Sequence, residues 1–107
     1  PQRIPTRAYL LSQFIDFNAV NKPKDQNPYN IKKFMNYENK IKDLHKNAEL
    51  YEMDIPAESA NTSPEIDRVR DGKRVIVDKT TGKRWYTADH YKTFTDMHAP
   101  ISTPSQH

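Results

Sequence analysis

The stretch KRVIVDKTTGKRWYT, residues 73–87, constrains the fold of this chain more than any other. KRVIVD and RWYT are short runs rich in β-branched and aromatic residues, and both read as strands. DKTTGK joins them and contains Gly82, which can take the positive φ that a hairpin turn requires. A lone hairpin is marginal in water, so further strands must extend it. Upstream, ELYEMDI alternates. Tyr51, Met53 and Ile55 fall on one face, Glu52 and Asp54 on the other. IKKFMNY, residues 31–37, fits a short strand better than a helical turn. HYKTFTDM, residues 90–97, alternates again and predicts another strand.

Before these strands, residues 7–20, RAYLLSQFIDFNAV, have helical spacing. Leu10, Phe14 and Phe17, with Leu11 and Ile15 beside them, predict one apolar face. Thr6, after Pro5, is the expected N-cap. NKPKDQNPY, NKIKDLHKN and PAESANTSPEID read as loops, and APISTPSQH, residues 99–107, as a tail. The expectation is a single α+β domain over residues 1–107. Its N-terminal helix packs on a four- to five-stranded antiparallel β-sheet.

Composition narrows the function classes. Hydrophobic residues make up 35% of the 107 and mean hydropathy is -1.01, so the core is small and relies on aromatics. No run of about 18 apolar residues exists, so the sequence contains no membrane-spanning helix. PQRIPTRAYLL lacks the apolar stretch of a signal peptide, which fits a mature form or an excised domain. Cysteine is absent, which excludes disulfides and thiolate zinc sites. A net charge of +3 is compatible with a polyanionic partner.

The strand pattern also groups polar residues. Glu52 points away from the apolar side of its strand. Arg70 and Arg74 lie just before and at the start of KRVIVD, and His90 follows the hairpin. A carboxylate, two guanidinium groups and an imidazole on one sheet surface suit a phosphodiester. The carboxylate takes a proton, the imidazolium gives one, and the arginines hold phosphate oxygens. In a chain that is 29% charged, such a set also arises as an ordinary solvated face.

DRVRDGKRVIV, a hairpin and then YTADHYKTF resemble the C-terminal half of the microbial guanyl-specific ribonucleases. That family includes barnase, binase and their streptomycete and fungal relatives. In it, arginine-x-x-x-arginine leads into an apolar strand, and D-H-Y-x-T-F supplies a catalytic histidine. Here these are Arg70, Arg74 and Asp89-His90-Tyr91-Lys92-Thr93-Phe94. LYEMDIP matches the strand of the catalytic glutamate, and FMNYE matches the guanine-clasping segment. The four motifs follow the family's order over roughly residues 28 to 96. Three features depart from it. The loop between Glu52 and Arg70 is longer, the N-terminal helix has no residue match, and Asn39 and Lys40 stand where glycines usually follow the guanine-binding glutamate. Lys32 is the nearest counterpart of a histidine in the fungal branch. Without the fungal disulfides, a bacterial origin or a toxin domain fits better.

The resemblance implies cleavage of single-stranded RNA after guanosine by transesterification through a 2′,3′-cyclic phosphate, with no metal or other cofactor. Glu52 is the implied general base and His90 the general acid. Arg70 and Arg74 are the implied phosphate ligands. Asn36, Tyr37 and Glu38 read guanine: Glu38 through its N1 and N2 hydrogens, Tyr37 by stacking, and backbone amides near Asn36 through O6 and N7. Tyr91 is placed beside the phosphate or as aromatic core. Trp85, Tyr86 and Phe94 are expected in the core. Expected partners are RNA and a proteinaceous inhibitor or immunity protein, for a monomer secreted or delivered into a target cell. The alternative is a catalytically inactive RNA-binding module of the same fold.

Overall fold

The computed structural model describes residues 3–56 and 72–98. The expected loop PAESANTSPEID beyond Pro56, Arg70, and the expected tail lie outside the described residues. Helix α1 spans Thr6–Gln13, followed by two 3-10 turns, Phe17–Ala19 and Lys24–Gln26. The strands are β1 (Lys32–Lys33), β2 (Leu50–Asp54), β3 (Arg74–Asp78), β4 (Arg84–Thr87) and β5 (Thr95–Asp96). They form one antiparallel sheet in the order β1-β2-β3-β4-β5. This is the expected α+β architecture; among the described residues one α-helix packs against a five-stranded sheet.

Alternation along the strands divides the side chains between two faces. Tyr51, Met53, Val75, Val77 and Tyr86 point toward the helix and form the main core with Ala8, Ala19, Ile31 and Met97. Leu50, Ile76 and Trp85 point the other way and pack with Ile41, under Phe34, Tyr91 and Phe94. This second, smaller core supports the cleft described below. At the β3–β4 hairpin Gly82 has φ 82°, and its N–H donates to Asp78 O at 2.7 Å. The buried Asp78 carboxylate accepts from the Thr80 amide and the Thr81 hydroxyl, which closes the turn.

Helix α1 departs from expectation in length and in face. It ends at Gln13, where Phe14 turns out of helical geometry and donates its N–H to Leu11 O. Asp16 then accepts from the Asn18 amide and starts a 3-10 turn, a local bond that competes with the α-helix. Pro5, not Thr6, occupies the N-cap position, and no side chain caps it. Leu10 and Phe14, expected inside, are 52% and 78% exposed. The fully buried residues of the helix are instead Ala8 and Ser12, small residues one turn apart, while Leu11, Ile15 and Phe17 pack against the same core as expected. Ala8 and Ser12 allow close approach of Arg84, whose Nη1 donates to Ser12 Oγ at 2.6 Å and Tyr9 O at 3.1 Å. Burial pushes the Arg84 guanidinium below its ordinary value, and its hydrogen bonds make that burial tolerable.

A further difference lies after β4. Only Thr95–Asp96 of the expected strand HYKTFTDM pairs with β4. His90 and Tyr91 have φ of 57° and 73°, so the chain turns there in left-handed geometry and cannot continue as a strand.

Candidate active site

Glu52 and Lys32 are directly opposed across β1 and β2, and Asp54 and Arg74 across β2 and β3. Opposed residues share a face, so these four side chains project from the side of the sheet away from the helix. The loop after β4 brings Tyr91 over them. The Tyr91 hydroxyl donates to Glu52 Oε1 and accepts from Arg74 Nε at 3.2 Å. Arg74 is 2% exposed; its Nε also pairs with Asp54 Oδ1 at 3.0 Å, and its Nη1 donates to Lys73 O at 2.8 Å. A carboxylate, a phenol and a guanidinium thus form one connected chain, with Asp54 anchoring its buried end. Burial, followed by the bond to Glu52, pushes the Tyr91 phenol up to about 12.

The loop that carries His90 is held from two sides. Asp89 Oδ1 accepts from the Thr87 hydroxyl and from the Lys92 and Thr93 amides, and Oδ2 accepts from the Thr93 hydroxyl at 2.6 Å. The Thr93 hydroxyl and amide lead in holding this carboxyl well below the usual carboxylate range. From the other side, the His90 amide donates to Gly72 O at 3.2 Å. Gly72 has φ +85°, and a Cβ there would lie 3.3 Å from the His90 nitrogen. The His90 ring is exposed and stands edge-on to Tyr91, with centroids 4.7 Å apart.

The facing wall is the turn after β1. Asn36 and Asn39 both have positive φ, 51° and 53°. Asparagine tolerates this geometry, so Asn39 adopts the conformation for which a glycine is usually used. The Asn36 carboxamide donates to Ile41 O at 3.1 Å and accepts from the Ile41 amide, so this side chain closes the turn. Tyr37 is 87% exposed, and Glu38 pairs with Lys40 at 3.2 Å. Phe34 stacks on Tyr91 and meets Phe94 edge-on, each at 5.9 Å, which joins this wall to the His90 loop.

Between the walls lies an open cleft of about 680 Å³. Lys32, Asn36, Tyr37, Glu38, Glu52, His90 and Tyr91 all line it, as do Phe34 and Phe94. Arg74, expected at the phosphate, does not line the cleft and lies buried beneath it, bonded to Tyr91 and Asp54. Trp85 and Tyr86 are buried as expected, whereas Phe94 is half-buried and faces the cleft. Sequence reasoning gave no role to Asp54, Phe34, Lys40 or Gly72. Strand alternation had placed Asp54 on the face of Glu52, the one signal that pointed to it.

A carboxylate and an imidazole on one cleft, backed by a buried guanidinium, define a site suited to phosphodiester chemistry. A family model described as ribonuclease matches residues 15–98. The chain therefore belongs to the microbial guanyl-specific ribonuclease family, and its fold is the one expected of that family. No curated protein matches it. At this level its activity is endonucleolytic cleavage of RNA.

Proposed function

We propose that the protein cleaves single-stranded RNA on the 3′ side of guanosine, without a metal ion, by attack of the 2′-hydroxyl on the adjacent phosphorus. The products are a 2′,3′-cyclic phosphate and a free 5′-hydroxyl. The observation that carries this reading is that Glu52 and His90 line one cleft with the turn of residues 36–39 at its rim. Glu52, through the oxygen not bonded to Tyr91, takes the 2′-hydroxyl proton. His90 gives a proton to the leaving 5′-oxygen, as an imidazolium placed on the cleft can. One proton enters the protein and one leaves it, so the step balances.

The cations act on the phosphate. Lys32, opposite Glu52, brings an ammonium to the edge of the cleft. Arg74 orients the Tyr91 hydroxyl and adds positive charge from below. Arg70 is assigned to the phosphate oxygens by its place in the family motif. Preorganised donors of this kind contribute several kcal/mol as charge develops in the transition state. Tyr37 offers an exposed ring for stacking on guanine, and Glu38 accepts from guanine N1 and N2.

Such an enzyme endangers the cell that makes it. We therefore place its action outside that cell, as a secreted enzyme or a delivered toxin domain. Within the cell that makes it, its partner is a proteinaceous inhibitor or immunity protein whose acidic surface is steered to the basic chain. The test is incubation with RNA, with and without EDTA, beside a His90→Ala variant. Cleavage that survives EDTA and vanishes in the variant is expected. Intact RNA with the wild-type chain would overturn the reading in favour of a binding module.

A further inference from the structure

The ammonium of Lys40 ties together the two loops that face each other across the cleft. Lys40 follows the turn that carries Glu38. Its Nζ donates to Lys92 O at 3.1 Å and to Tyr91 O at 3.5 Å, and it pairs with Glu38 Oε1 at 3.2 Å. An ammonium has three donors, enough for these three contacts. The bonds to residues 91 and 92 cross 51 and 52 positions of sequence, so they are tertiary links between separate loops. Glu38 is 75% exposed at its side chain, and Lys40 is the cation paired with its carboxylate.

We propose that Lys40 is a positioning residue that couples recognition of the base to the chemical step, an inference that rests on the guanine reading above. The base-reading carboxylate stands on one loop and the imidazole on the other. A guanine seated on Glu38 delivers its own 3′-phosphodiester to His90 only if the two loops keep their spacing. A misplacement of about 1 Å costs on the order of 10²-fold in rate. The Lys40 bonds hold that spacing before RNA arrives. Lys40 also takes only part of the acceptor capacity of Glu38, which leaves lone pairs for two guanine hydrogens. Adenosine presents no such pair of hydrogens to Glu38 and gains nothing from the coupling.

The test compares steady-state cleavage of GpU and ApU by the full chain and its Lys40→Met, Lys40→Arg and Glu38→Ala variants, with melting curves for each. In Lys40→Met the GpU-to-ApU ratio of kcat/KM should fall about tenfold, through kcat on GpU, at an unchanged melting temperature. Lys40→Arg, which keeps the charge, should recover part of the ratio. A Lys40→Met ratio within about twofold of wild type, or an equal loss on both substrates, overturns the inference while leaving the guanine reading intact. A wild-type chain without preference for GpU, or a preference that survives Glu38→Ala, overturns the guanine reading itself and the inference with it.

Discussion

Gly72→Ala tests how firmly the fold holds His90. Gly72 sits in left-handed geometry with φ +85°, and its carbonyl accepts from the His90 amide. A Cβ there would meet the His90 nitrogen at 3.3 Å and the His90 Cβ at 3.4 Å. Ordinary carbon contacts lie at about 3.5–4.0 Å, so the loop must retreat by roughly a few tenths of an ångström. Left-handed geometry costs an alanine a further 1–2 kcal/mol or so. Gly82 provides the control, because it has φ 82° and lies in the turn at the far end of β3 from Arg74. Both variants should lose about 1–2 kcal/mol, which lowers the melting temperature by roughly 4–8 °C per kcal/mol in a domain of this size. Only Gly72→Ala should also lose activity, on the order of 10- to 100-fold in kcat/KM, because it moves the imidazole. The assay is a fluorogenic RNA at a temperature where both variants are folded, beside melting curves. Equal destabilisation with equal activity in the two variants would refute the claim that Gly72 sets the position of His90.

Other outcomes follow from the same geometry. Tyr91→Phe removes the hydroxyl between Glu52 and Arg74 and should cost about 1–3 kcal/mol in urea unfolding. Tyr91 is raised from 10.0 to about 12, so its contribution is full below pH 10 and is lost as pH rises toward 12; the variant should flatten that alkaline slope. Asp89 is depressed from 3.8, chiefly by Thr93, so it stabilises the fold at neutral pH and ceases to do so as pH falls below that value. Asp89→Asn should weaken this acid dependence and lower kcat by loosening the His90 loop, as unfolding titrations and cleavage rates will read. Arg84→Ala should cost about 2–4 kcal/mol by unpinning α1 from β4, with activity per folded molecule preserved, as melting and active-site titration will show.

How much of this was legible in the sequence depended on the range of the interaction. Period-two alternation is local, so the faces of LYEMD were read correctly, RVIVD and RWYT were read as strands, and Gly82 marked the hairpin. The face of the helix was legible only in part: Leu11, Ile15 and Phe17 reach the core, but Leu10 and Phe14 match the period and stay outside, because Arg84 selects the small residues Ala8 and Ser12. That selection is made by a strand distant in sequence. DHYKTF alternates like a strand, but the acceptors of Asp89 gather the Lys92 and Thr93 amides and bend it into a turn. Motif order identified Glu52, His90, Lys32 and the 36–38 turn, and the structure brings all of them to one cleft. It did not reveal that Arg74 lies beneath the cleft, because burial under Tyr91 is a tertiary fact. The missing glycine after Glu38 became intelligible only with the positive φ of Asn39.

In the proposed reaction the 2′-hydroxyl is the nucleophile, and Glu52 and His90 move its proton and the leaving-group proton. The most direct measurement uses one short RNA with a single guanosine, and the same strand with 2′-deoxyguanosine at that position, each with the wild-type chain in EDTA. One cut after the guanosine, a 2′,3′-cyclic phosphate on the 5′ fragment, and no cut in the deoxy strand are expected. Cleavage of the deoxy strand at that position, or a linear phosphate formed from the outset, would contradict the proposed reaction.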